Sequence, residues 1–127
     1  MRSSRALTLL PLLMSACLLG EAWPERYAIE VCHTEFECVD GEDLSTNTDW
    51  EDEADCVEKT AALVRTDPKY LGFEEGACRW DGAKATECLD AMAALRSSDT
   101  CDGAMTHVEL AAEGVSPACL VVYDCAE

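Results

Sequence analysis

Long apolar runs, cationic side chains, aromatic rings and histidines are all scarce in this sequence, and each scarcity closes a route. The longest uncharged run covers residues 6–20, and its apolar stretch, residues 6–19, is about 14 positions with Pro11 inside it, short of the roughly 20 apolar residues that span a bilayer. Nine Lys and Arg stand against 26 Asp and Glu, so the surface repels nucleic acid and anionic lipid headgroups. No Cys-x2–4-Cys pair is present to hold zinc, and no Cys-x-x-Cys to exchange disulfides. Gly-x-Ser-x-Gly, His-Glu-x-x-His and phosphate-binding glycine loops are missing as well. Only eight aromatic residues are available to fill a core.

What the chain has in quantity is cysteine and carboxylate. Arg2 and Arg5 precede the uncharged run, which is the layout of an export signal. The expected division is an export signal over residues 1–22 and a disulfide-rich helical domain over residues 23–127. Two processing routes are open. Met14-Ser15-Ala16-Cys17 resembles a bacterial lipobox, with Ser15 and Ala16 matching the pattern, Met14 in the position where Leu is commonest, and Cys17 as the residue that receives the lipid. Gly20-Glu21-Ala22 instead offers small residues for ordinary signal cleavage before Trp23, which discards Cys17.

Either route takes Cys17 out of the thiol count and leaves eight cysteines: Cys32, Cys38, Cys56, Cys78, Cys88, Cys101, Cys119 and Cys125. An even set in an exported chain of this size reads as a framework of four disulfides formed in an oxidising compartment. Eight cysteines allow 105 pairings, and spacing does not choose among them.

Periodicity predicts mainly α structure. Ile29, Cys32, His33 and Phe36 form one stripe of a helix over residues 25–38, although Tyr27, Ile29 and Val31 also alternate as in a strand. Residues 39–47 read as a polar loop. Thr48 with Glu51 makes a capping-box pattern for a second helix whose stripe is Trp50, Ala54, Val57, Ala61 and Val64, and Asp67-Pro68 ends it. Residues 69–80 read as a connecting loop. Asp81 caps a third helix to about Arg96, buried through Ala85, Cys88, Leu89, Met92 and Leu95. A short fourth helix over residues 105–112 ends at Gly114, and the apolar tail, residues 117–125, is a strand or an extended segment. The expected fold is a small disulfide-stapled domain of three to four helices with an extended C-terminal segment.

Chemistry is harder to find. Residues 35–58 hold eleven carboxylates and no Lys or Arg, which reads first as a solvated face and second as a lure for cations or a basic partner. Asp43, Ser45, Asn47 and Asp49 alternate as ligands do in a calcium loop, followed by Glu51, Asp52 and Glu53, but Thr48 stands where an EF-hand needs Gly and Ala54 where it needs Glu. His33 beside Cys32 suggests a cysteine–histidine nucleophile, against the weightier reading of a cystine next to an ordinary histidine. His107 offers nothing sharper. No catalytic residue, metal ligand or cofactor is assigned.

The run "YAIEVCHTEFEC", then "ADCVEKTAALV", then "DGAKATECLDAMAALRSSDTC" with Cys88, Leu89, Ala91, Leu95 and Cys101, then "PACLVVYDC" at Pro117-Ala118-Cys119, resembles the small cysteine-rich predicted lipoproteins and secreted proteins of myxobacteria and their relatives. The resemblance implies a small disulfide-linked helical domain at the cell envelope and implies no activity. The functional expectation is therefore an exported structural or interaction module, not an enzyme, with a protein partner at the cell surface and membrane contact only through a lipid on Cys17. Membrane anchoring is slightly favoured over free secretion. The alternatives are a calcium-dependent binding protein and a secreted inhibitor-like effector presenting the loops at residues 39–47 and 69–77.

Overall fold

The computed structural model describes residues 18–101, 103–114 and 116–125. Cys17 and most of the segment expected to be an export signal lie outside the described residues. Six α-helices, two 3-10 turns and one two-stranded sheet are present among those described: a turn Gly20–Ala22, α1 Trp23–Cys38, α2 Gly41–Asn47, α3 Glu53–Thr66, α4 Pro68–Glu74, β1 Cys78–Trp80, α5 Gly82–Arg96, α6 His107–Gly114, a turn Pro117–Leu120 and β2 Tyr123–Cys125. The chain is mainly helical and stapled by four disulfides.

Helix α1 is the central strut, packed between α3 and α5. Ala28 and Cys32 are fully buried on it, and such small side chains let neighbouring helices approach closely. The buried face is not the expected stripe. Ile29 is 46% exposed and His33 is half-exposed, whereas Ala28, Cys32, Glu35 and Cys38 point inward. With a helix on each side, α1 buries a wide arc, and Ile29 falls in the remaining outward sector.

Two segments read as loops are helical. In α2, Asp40 accepts a hydrogen bond from the Asp43 amide (3.3 Å), and the acidic first turn of Glu42 and Asp43 suits the positive end of the helix. In α4, Pro68 occupies the opening turn and Asp67 caps it by accepting from the Lys69 amide (2.8 Å). The Asp-Pro pair that ends α3 thus starts α4, because proline's missing amide costs nothing in the first turn of a helix. The cap of α3 is also displaced from expectation: Asp52 accepts from the Asp55 amide (2.8 Å), and the Asp55 carboxylate reaches back to the Glu51 amide (3.0 Å). Thr48 instead closes α2, its hydroxyl donating to the Leu44 carbonyl (2.6 Å). Helix α5 follows expectation, capped by Asp81 on the Lys84 amide (3.1 Å) and buried through Ala85, Cys88 and Met92.

The C-terminal segment is extended only at its end. Pro117–Leu120 is a 3-10 turn begun by Ser116, and β2 then pairs antiparallel with β1 in the register Cys78 to Cys125, Arg79 to Asp124 and Trp80 to Tyr123. Helix α4 lies against this pair. The approach is tight at Gly72, where any Cβ would run into the Cys78 sulfur.

Two clusters form the interior. The larger holds Trp23, Tyr70, Cys78, Ala85, Cys88, Met92, Ala118, Val122 and Tyr123, with Leu18, Phe73 and Trp80 packed on it. The smaller holds Cys38, Val39, Leu44, Met105 and Leu110, where Val39 bridges to Met105. The eight expected cysteines pair as Cys32–Cys56, Cys38–Cys101, Cys78–Cys125 and Cys88–Cys119.

Cys32–Cys56 closes a separation of 24 residues between α1 and α3. Replacing both by Ala is expected to lower unfolding free energy by about 3 kcal/mol, read as a reduced urea midpoint. An unchanged midpoint would mean that packing alone holds α3 to α1.

Candidate functional site

The sequence candidates do not assemble into a reactive centre. Cys32 is fully buried and bonded to Cys56, so it supplies no thiolate. His33 projects between Glu37 (3.3 Å) and Glu53 (3.7 Å) on a partly exposed surface. The alternating calcium pattern is lost because Asp43, Ser45 and Asn47 lie on α2, where successive residues turn by about 100° and alternate residues do not converge on one ion. Their oxygens are also engaged. Asp43 accepts from Asn47 (2.9 Å) and from the His107 amide (2.7 Å), while Asp49 lies 3.5 Å from Lys59. Among the described residues no three His, Cys, Asp or Glu side chains are grouped to hold a metal ion. Both loops assigned to an inhibitor-like role are largely helical, as α2 and α4.

A different pair is better formed. Glu35, on the inner face of α1, is 4% exposed, and His107 opens α6. The imidazole Nδ1 lies 2.9 Å from one Glu35 oxygen and 3.0 Å from the other. His107 is set from three directions. Its amide donates to Asp43, Trp50 meets its ring edge-on at 5.8 Å, and Thr106 and Glu109 form a capping box that fixes the start of α6. Nearby, Arg96 from the end of α5 reaches Glu30 (2.8 Å) and the Thr34 hydroxyl (2.9 Å) on α1, and Thr34 donates to the Glu30 carbonyl (2.8 Å). These contacts tie both α5 and α6 to one stretch of the central helix.

Glu35 lines a cavity of about 160 Å³ together with Tyr27, Val31, Met92, Leu110 and Cys119. Burial pushes the Glu35 carboxyl above its usual 4.5. The hydrogen bond and charge of His107 draw it back, and the charge of Asp43 adds to the rise. Burial, reinforced by Glu35, likewise raises the Tyr27 phenol. Among the described residues no activated nucleophile faces the pair: Cys119 is a cystine, and the Thr34 hydroxyl already bonds the Glu30 carbonyl and Arg96. Its evident work is to join α6 to α1.

Little in the sequence announces this pair. Glu35 and His107 are 72 residues apart, and the usable signal was a carboxylate in helical step with Ala28, Cys32 and Cys38.

No protein-family model, curated protein or solved structure matches the chain. Among the described residues, no helix is long and apolar enough to cross a membrane.

The raised Glu35 pKa means that the folded chain holds this proton more tightly than the unfolded chain does. The contribution is complete below about 4.5 and lost as pH rises through the folded value. Urea unfolding is therefore expected to show stability falling over that window in the parent protein, with the fall diminished in Glu35→Gln. Identical pH profiles would remove Glu35 as the source.

Proposed function

We propose that the protein is an exported, cystine-closed interaction module of the cell envelope, tethered by a lipid on Cys17, and that it acts by binding rather than by catalysis. The observation that carries the reading is the complete pairing of the eight cysteines between residues 32 and 125, since such frameworks persist in oxidising compartments and are rare in the cytosol. The resemblance to small cysteine-rich predicted lipoproteins and secreted proteins of myxobacteria and their relatives favours the envelope and, slightly, the lipid.

Charge narrows the partner. Residues 35–58 carry eleven carboxylates and no Lys or Arg; all but the buried Glu35 are exposed or half-buried, and they run through α2 into α3. Several are held in place by capping: Asp55 is drawn below its usual range by the Glu51 amide and by Lys59. This acidic surface suits a basic partner protein, whose association would be steered by charge and weakened by salt.

The test is to alkylate the protein from its native host without reduction, then take intact masses from membrane and medium. The expected species carries no alkyl group on the eight cysteines, bears a lipid mass and partitions with the membrane. A cytosolic species alkylated at those cysteines would contradict export. An unlipidated species in the medium would retain export and contradict the tether.

A further inference from the structure

The residues just after Cys17 are built into the domain. Leu18 packs against the larger core, and its carbonyl accepts a hydrogen bond from the Trp80 indole Nε1 at 3.1 Å. Gly20 is buried, and its carbonyl accepts from the Tyr123 hydroxyl at 2.9 Å in a buried contact. A Cβ at Gly20 would stand 2.5 Å from the Phe73 Cζ, so no side chain fits there unless the ring moves. The turn Gly20–Ala22 then runs directly into α1, whose first residue, Trp23, is 2% exposed and packs on Tyr27 and Trp80.

From this packing we infer that removal of the export signal leaves residues 18–22 on the mature protein: the chain is cut N-terminal to Leu18, not before Trp23. The inference rests on the export reading above. A cut before Trp23 would take the acceptor from the buried Tyr123 hydroxyl, take another from the Trp80 indole, and strip the surface that packs against Phe73. It would also create an α-ammonium at the first residue of α1, beside the positive end of the helix dipole and on a residue otherwise buried. The small-residue site upstream is Ser15-Ala16 before Cys17. Hydrolysis of the Ala16–Cys17 peptide bond consumes one water and gives Ala16 a carboxylate and Cys17 an α-amine.

The direct experiment is to sequence the N-terminal peptide of the processed full chain from its native host by mass spectrometry, with the disulfides left intact. The expected peptide begins at Cys17 and retains residues 18–22. A mature chain beginning at Trp23 with its four cystines intact would overturn the inference while leaving export standing. An uncut chain would overturn it, and an uncut chain with free thiols would overturn export as well.

Two variants test the packing independently. Tyr123→Phe removes the hydroxyl alone and is expected to lower Tm by about 5 °C. Gly20→Val should lower it by roughly 10 °C or prevent accumulation of the folded protein. Parent-like Tm values in both variants would overturn the claim that this segment belongs to the domain.

Discussion

Each of the four cystines joins two parts of the chain that are distant in sequence. Cys32–Cys56 ties α1 to α3, Cys38–Cys101 ties the end of α1 to the segment after α5, Cys88–Cys119 ties α5 to the turn Pro117–Leu120, and Cys78–Cys125 ties β1 to β2. The smaller cluster has five buried residues, one of them Cys38 itself, too few for substantial burial energy on their own. The sheet has three residues in each strand, and an isolated pair that short is marginal in water. Cross-linking lets these pieces persist by removing unfolded conformations.

Polar contacts then set the angles that cross-links leave free. Arg96 on Glu30 and Thr34 fixes the end of α5 against α1, Arg65 pairs with Glu25 between α3 and α1, and His107 on Glu35 fixes the start of α6. The exposed members of this set contribute little individually. The Glu35 contact differs because the carboxyl is buried, so losing its partner would leave a group desolvated and unpaired. Among the described residues Glu35 is the one buried carboxylate.

How much of this was readable in the sequence depended on whether the information was local. Helix α5 was legible in its cap and its buried face, since Asp81 and the Ala85, Cys88 and Met92 spacing are local signals, with Leu89 and Leu95 of the expected face half-buried. Helix α1 was legible as an element but not in its facing, because two packing partners decide which arc of a helix is inside, and Ile29 lost that contest despite being apolar. Helices α2 and α4 were hidden by composition. Both are seven residues long, too short to show a stripe, and Pro68 was read as a terminator when it also begins a helix. The cystine partners and the Glu35–His107 contact were illegible for one reason: pairing across 24 to 72 residues is decided by the fold. The role of residues 18–22 was masked by their likeness to the end of an export signal. The hydrogen bonds from Trp80 and Tyr123, with the packing of Leu18 and Gly20, carry the inference that they stay with the domain.

If the cystine framework defines this arrangement of helices, the connectivity must show it. Proteolysis of the unreduced protein under acidic conditions that block thiol exchange, followed by mass spectrometry of the linked peptides, should recover Cys32 with Cys56, Cys38 with Cys101, Cys78 with Cys125 and Cys88 with Cys119. Recovery of a different pairing, such as Cys78 linked to Cys101, would contradict the account, because β1 could not then be closed onto β2 beside α4.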